Sequence, residues 1–115
     1  MTTCVFKILR RAEWQAAQRR GAFSGSPDDA RDGFIHLSTF EQLPGTLAKH
    51  FAGESGLVLL EIATDSVRAA LKWEPSRGGA LFPHLYGDLP LSAVSRTIDI
   101  GTTDSGEHVL PSELR

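Results

Sequence analysis

An α+β fold, with a small twisted sheet flanked by helices in a single domain over residues 1–115, is what the sequence predicts, and three observations predict it. Leu57-Val58-Leu59-Leu60-Glu61-Ile62 is the most apolar run and reads as a central strand, buried on both faces for most of its length. Strand and helix patterns alternate ahead of it, whereas mostly strand patterns follow it, which sets the chain apart from a regular βαβ array. A length of 115 residues suits one hydrophobic core and leaves too little surface to divide between two. The sheet is expected to hold about five or six strands.

Val5 to Leu9 alternates around Lys7, placing Val5, Lys7 and Leu9 on one face of a first strand and Phe6 and Ile8 on the other. Arg11 to Arg20 then offers good helix formers, with Trp14 and Ala17 on one face and Gly21 placed to stop the helix. Gly25-Ser26-Pro27-Asp28-Asp29 reads as a loop, because Gly, Pro and Asp favour turn geometry, and that loop leads over the site into a strand at Phe34 to Leu37. Ser38 and Thr39 carry capping hydroxyls with Glu41 and Gln42 three residues beyond, but Pro44 would break a helix running through it. The spacing therefore predicts a turn from Thr39 to Leu43 and a helix opening near Pro44, with Leu43, Leu47 and Phe51 inward and Gly53 as its stop.

Beyond the central strand, Thr64 or Asp65 is expected to cap a short helix with Val67, Ala70 and Leu71 inward, ending before Pro75. Arg77-Gly78-Gly79 is a turn. Pro83 has no N–H, so Leu81 to Tyr86 is predicted to be an edge strand or an extended loop, with Phe82, His84 and Tyr86 projecting from one side. Val94, Arg96, Ile98 and Ile100 alternate with Ser95, Thr97 and Asp99 as a half-buried strand. Gly101 to Gly106 reads as a hairpin loop to a last strand at His108 to Leu110.

A net charge of -2 argues against a nucleic-acid partner, since phosphate binding needs clustered Lys and Arg; Arg10, Arg11, Arg19 and Arg20 read as the wet face of a helix. Cys4 stands alone, which excludes an internal disulfide and a thiolate metal site and suits a reducing cytoplasm. The chain holds no apolar run near the ~20 residues of a membrane span, so no membrane partner is expected.

The candidate chemistry centres on two short apolar stretches that each carry one imidazole. His36 lies in Phe34 to Leu37 with Ser38 on the same side two residues later; the bland alternative is a half-buried His held by a carbonyl. His84 lies between Phe82 and Tyr86, whose rings suit a flat ligand or an ordinary core edge. Glu74, beside Trp73, is either an acid or base next to apolar surface or a solvated carboxylate. His36, Glu74 and His84 are thus the catalytic candidates, with Ser38, Thr39, Trp73, Phe82 and Tyr86 as ligand-binding candidates. No HExxH, GxSxG or P-loop pattern is present, and no metal site is predicted. The firmest expectation is geometric: His36 and His84 meet across one concave site, since each would be costly to bury without a polar partner.

Several stretches together resemble a family of small bacterial proteins known as domain of unknown function 952. They are Asp32 to Ser38 (DGFIHLS), His50-Phe51-Ala52-Gly53, Leu57 to Ile62, Trp73-Glu74, Phe82 to Gly87 (FPHLYG) and Leu89-Pro90-Leu91, covering nearly the whole chain. At the level of fold that family is similar to the ADP-ribosyltransferase-like proteins, so the resemblance implies a split sheet that clamps NAD or a related nucleotide. Ile35-His36-Leu37-Ser38 is similar to a His-Leu-Ser strand in the RNA 2'-phosphotransferases of that fold. Those transferases carry Arg or His before Gly-Thr on their first strand, whereas Val5 to Leu9 has neither the His nor the Gly-Thr; for their late ribose-holding Glu the chain offers Glu74 and Glu107, neither in a matching motif.

The function implied is a transferase, intact or degenerate, that takes a nucleotide-like or small aromatic ligand. His36 and Ser38 would hold polar groups, the aromatic rings would stack, and Glu74 or His84 would move a proton. The alternative is a non-catalytic module that holds a ligand or peptide in the same cleft. Ligand identity and oligomeric state are not written in the sequence.

Overall fold

The computed structural model describes residues 3–111. Among these, the order is β1 (Cys4–Arg10), α1 (Arg11–Arg20), β2 (Ala22–Phe23), α2 (Pro27–Asp32), β3 (Ile35–His36), α3 (Leu43–His50), β4 (Leu57–Ala63), β5 (Leu71–Pro75), β6 (Leu81–Leu85), β7 (Leu89–Pro90), β8 (Val94–Thr102) and β9 (His108–Val109). The strands are more numerous than expected; β1, β4 and β8 run past their predicted ends, whereas β3 is shorter. They form an antiparallel sheet in the order β1-β4-β8-β9, a second in the order β3-β6-β5, and a β2-β7 pair. Among the described residues a single bridge joins the two larger sheets. Phe6 N–H donates to Ser38 O at 2.8 Å and Ser38 N–H donates to Phe6 O at 2.9 Å.

The alternation in β1 decides how the cores are divided. Val5 and Leu9 pack with Phe23, Val58, Leu60, Ile62 and Leu85, while Phe6 and Ile8 pack with Leu43, Leu47, Leu57, Leu59 and Ile100. β4 lies between β1 and β8 with Val58, Leu59, Leu60 and Ile62 all fully buried, the central place its composition predicts. At roughly 1.5–3 kcal/mol for each fully buried aliphatic side chain, this strand is the main apolar anchor of the sheet.

Helix α1 occupies the predicted span. Its first turn is closed by Arg10 N–H donating to the Glu13 carboxylate at 2.9 Å, and Gly21, at φ 84°, ends it with a left-handed turn whose N–H donates to Ala17 O. The turn and helix after Ser38 also form where expected, although the helix ends at His50 with Phe51 as its cap rather than at Gly53. Thr39 Oγ1 accepts from Gln42 N–H at the head of a 3-10 turn over Phe40–Gln42, and α3 then buries Leu43 and Leu47.

Three expectations are corrected. The segment read as a loop at Gly25 to Asp29 enters helix α2: Ser26 and Asp29 exchange backbone and side-chain hydrogen bonds, Pro27 takes the first position and Gly33, at φ 86°, closes the helix. The reciprocal cap outweighs the turn-rich composition. Glu74 does not end a helix but sits in β5; the preceding helical segment is a 3-10 helix over Thr64–Ala70 whose cap position is Ala63, so neither Thr64 nor Asp65 caps it.

Third, β6 is a middle strand and not an edge. In an antiparallel ladder hydrogen-bonded and non-bonded pairs alternate, and Leu37 N–H donates to Pro83 O at 3.0 Å, so the backbone of Pro83 faces the β3 side. Pro83 has no N–H to return that bond, so regular pairing with β3 stops at His36↔His84, one residue short of the predicted strand end. On the other side, Trp73↔Pro83 asks no N–H of the proline, and β5 pairs along the whole strand. No helix of the described residues is long and apolar enough to cross a membrane.

Candidate functional site

The split between the sheets builds the site. Since Leu37 bonds to Pro83, the neighbouring His36 turns its backbone away from β6, towards β1, where Ser38 already pairs with Phe6. At His36 no strand receives those groups. Its N–H donates instead to Asp29 Oδ1 at 3.1 Å, and its carbonyl accepts from Lys7 Nζ at 3.0 Å. Lys7 and Asp29 pair directly at 3.0 Å, both buried.

The His36 ring sits between two carboxylates, with Nδ1 2.6 Å from Asp29 Oδ1 and Nε2 2.9 Å from Asp32 Oδ2. A neutral ring donates one of these bonds; the imidazolium makes both. Burial pushes the Lys7 ammonium below its ordinary value, and the Asp29 carboxylate pulls against that shift. For Asp29, burial alone would raise the carboxyl. Hydrogen bonds from His36, the charge of Lys7 and the backbone N–H groups of Ser26 and His36 outweigh it and hold the group well below the usual carboxylate range.

His84 faces His36 across the strand pair and is 4% exposed. Its Nδ1 lies 2.8 Å from Glu74 Oε1, and Tyr86 Oη donates to the same oxygen at 2.7 Å. Those hydrogen bonds, from His84 first and Tyr86 second, keep Glu74 below its ordinary value, while the bond to Glu74 pushes Tyr86 up. Phe34 stacks on the His84 ring with centroids 4.0 Å apart, and the His36 ring meets it edge-on at 5.7 Å. Among the described residues no hydrogen-bond partner reaches Nε2 of His84.

A cleft of about 260 Å³ opens here, with α2 and α3 contributing its walls and Lys7, His36, Ser38, Phe82 and His84 lining it. Ser38 Oγ and Thr46 Oγ1, 3.0 Å apart, link the strand to α3. Of the predicted site residues, His36, Ser38, Phe82 and His84 therefore share one cleft. Glu74 holds His84 and Tyr86 in turn bonds to Glu74, neither of them lining the cleft. Trp73, one residue from Glu74 on β5, projects from the opposite face of the strand and is 39% exposed, while Thr39 is used as a cap. Glu107 lies in the β8-β9 turn, where its backbone N–H donates to Thr103 Oγ1 and its carbonyl accepts from Thr103 N–H, whereas Glu74 bonds His84. Among the described residues no group of three His, Cys, Asp or Glu is placed to hold a metal ion.

Lys7, Asp29 and Asp32 are the residues that sequence reasoning missed. One signal was present: the alternation puts Lys7 on a core-facing side between Val5 and Leu9, and a charge there needs a partner. The partner lies 22 residues on, in a segment read as a loop over the site.

Fold and site together define a small mixed α/β protein on a curled antiparallel sheet, with a cleft where the sheet splits. The chain belongs to the family of proteins of unknown function DUF952, whose model matches residues 8–97. It is similar to protein CC0527 from Caulobacter crescentus. The crystal structure of that protein is 49% identical over 97% of this chain and 98% of that one, with a TM-score of 0.92. Its solution NMR structure is 51% identical over 92% and 90%, with a TM-score of 0.81. No curated protein matches the chain. The family likeness is thus shown, whereas the ADP-ribosyltransferase likeness rests on the sequence resemblance.

Proposed function

We propose that the cleft binds a nucleotide-like or other small aromatic ligand and that His84 is the group that handles a proton there. One observation carries this reading. His84 is almost fully buried and lines the cleft, its Nδ1 is fixed by Glu74, and its Nε2 has no partner among the described residues. A histidine oriented through one nitrogen presents the other, open to the cleft, for acid or base work. His36 is not the proton carrier in this reading, because both of its ring nitrogens are engaged by carboxylates. Ser38 and Lys7 supply polar contacts, and Phe82 an apolar wall of the kind ligand sites have.

The same reading takes the fold as ADP-ribosyltransferase-like and NAD or a related nucleotide as the ligand, in a single cytoplasmic domain. What supports it is the separation of the two sheets beyond the Phe6–Ser38 bridge, which leaves room for a clamped ligand. A non-catalytic binding module is favoured by a different observation: around Asp29 the polar groups already satisfy one another within the protein.

Thermal-shift measurements with NAD, ADP-ribose and related nucleotides test the first reading. A ligand at 100 times its dissociation constant adds about 2.7 kcal/mol of stability. Wild type should turn the bound compound over, and His84→Gln should bind it without turnover. No shift with any nucleotide counts against the reading, and binding without turnover in wild type leaves the binding module.

A further inference from the structure

Asp29 is held as a bound anion would be. Three donors fixed on the sheets converge on its carboxylate. Lys7 Nζ from β1 reaches Oδ2 at 3.0 Å and Oδ1 at 3.2 Å, while the backbone N–H of His36 at 3.1 Å and its ring Nδ1 at 2.6 Å come from β3. Such a set, one ammonium, one amide and one imidazole aimed at one point, suits any carboxylate or phosphate oxygen.

The segment that delivers Asp29 has little else to hold it. Helix α2 spans six residues, far short of the ~12–15 at which an isolated helix becomes even marginal, and Asp29 is the one residue of it that is buried. Its other tie to the sheet is Asp32 on His36 Nε2 at 2.9 Å, again polar and, unlike the Asp29 contacts, exposed. Gly25 at φ 121° and Gly33 at φ 86° bracket the segment. An ordinary surface helix is anchored by an apolar stripe; α2 is anchored by an ion pair, and it lines the cleft through Asp28, Asp29, Arg31 and Asp32.

We propose that Lys7 and His36 form an anion-binding site in the cleft, that Asp29 fills it as an internal ligand in the closed form, and that a carboxylate or phosphate group of a bound molecule takes the place of Asp29 when α2 lifts away. The site asks nothing of His84 and stands whether or not that residue moves a proton. In it the buried Lys7 ammonium always has a counter-ion, internal or external, which its burial requires.

Chemical rescue tests this directly. Asp29→Ala should lower the melting temperature, and formate should restore it saturably, by about 4 °C or more beyond its effect on wild type. Phosphate is compared at matched ionic strength, so the stronger rescuer names the group, and chloride controls for salt. Rescue should vanish in Lys7→Met/Asp29→Ala. If Asp29→Ala does not fold in plain buffer, refolding in formate or phosphate is the same test. In wild type, the amides of Ala30, Gly33, Phe34 and His36 should exchange with solvent through an opening that leaves β4 protected. Equal anion effects on variant and wild type, or exchange of those amides only together with β4, would overturn the proposal.

Discussion

His36 and His84, 48 positions apart in the chain, are direct partners across β3 and β6, and their rings meet edge-on with centroids 5.7 Å apart. Phe34 touches both rings, at 4.7 Å and 4.0 Å, so the pair is packed against a common aromatic surface. Their polar partners differ: His36 is held by Asp29 and Asp32, His84 by Glu74.

From this contact it follows that replacing one ring is felt by the other. In His84→Gln, the ring protons of His36 should move in the NMR spectrum, because the edge-on imidazole is gone and Phe34 is free to shift. Unchanged His36 resonances would mean that the two side chains are not neighbours in solution.

Lys7 and Asp29 should behave as a coupled pair. Removing one partner of a buried ion pair leaves an uncompensated charge and costs about 3–5 kcal/mol, so Lys7→Met and Asp29→Asn are each expected to be strongly destabilising. The double variant leaves neither charge behind. Its cost, read by denaturant unfolding, should fall short of the sum of the singles by about 1–3 kcal/mol. Additive losses would show that the two groups do not stabilise each other.

The parts of the fold legible in the sequence are those whose pattern and environment agree. Helix α1 carries helix formers up to a Gly that can turn left-handed, and β4 is apolar because it is buried on both faces. Where composition and tertiary context conflict, reading failed. Asp28 and Asp29 look like solvated loop residues, and only the Ser26–Asp29 cap spacing hinted at α2. Pro83 reads as a mark of an edge strand, yet its missing N–H costs only one bond of the β3 ladder and none of the β5 ladder. The two histidines of the site were visible as isolated polar residues in apolar runs; the Lys7–Asp29 pair that holds His36 depends on a long-range contact that no local pattern encodes.

The pH dependence of stability should carry the signature of Asp29. Its folded-state value is depressed below the ordinary ~3.9 of an aspartate, so its contribution is fully present above that value and is lost as pH falls below it towards the folded value. The stability difference between wild type and Asp29→Asn should therefore be constant near neutrality and shrink below about pH 4. Parallel stability curves down to acid unfolding would contradict the depressed value.

The last prediction concerns which nitrogen of His84 carries the proton. Glu74 is held below its ordinary value and is an acceptor, and Tyr86 already donates to the same oxygen, so the only bond His84 can add there is one donated by Nδ1–H. In the neutral ring this leaves Nε2 as the unprotonated atom, facing a cleft where it has no protein partner among the described residues. Nitrogen-15 shifts separate the two tautomers. Wild type should populate the Nδ1–H form when the ring is neutral, and Glu74→Ala should shift the mixture towards the Nε2–H form that free imidazole side chains favour, with Tyr86→Phe having a smaller effect because the carboxylate remains. A wild-type ring protonated at Nε2 would remove the basis for assigning base chemistry to that atom, and would require that Glu74 fix the ring in some other way.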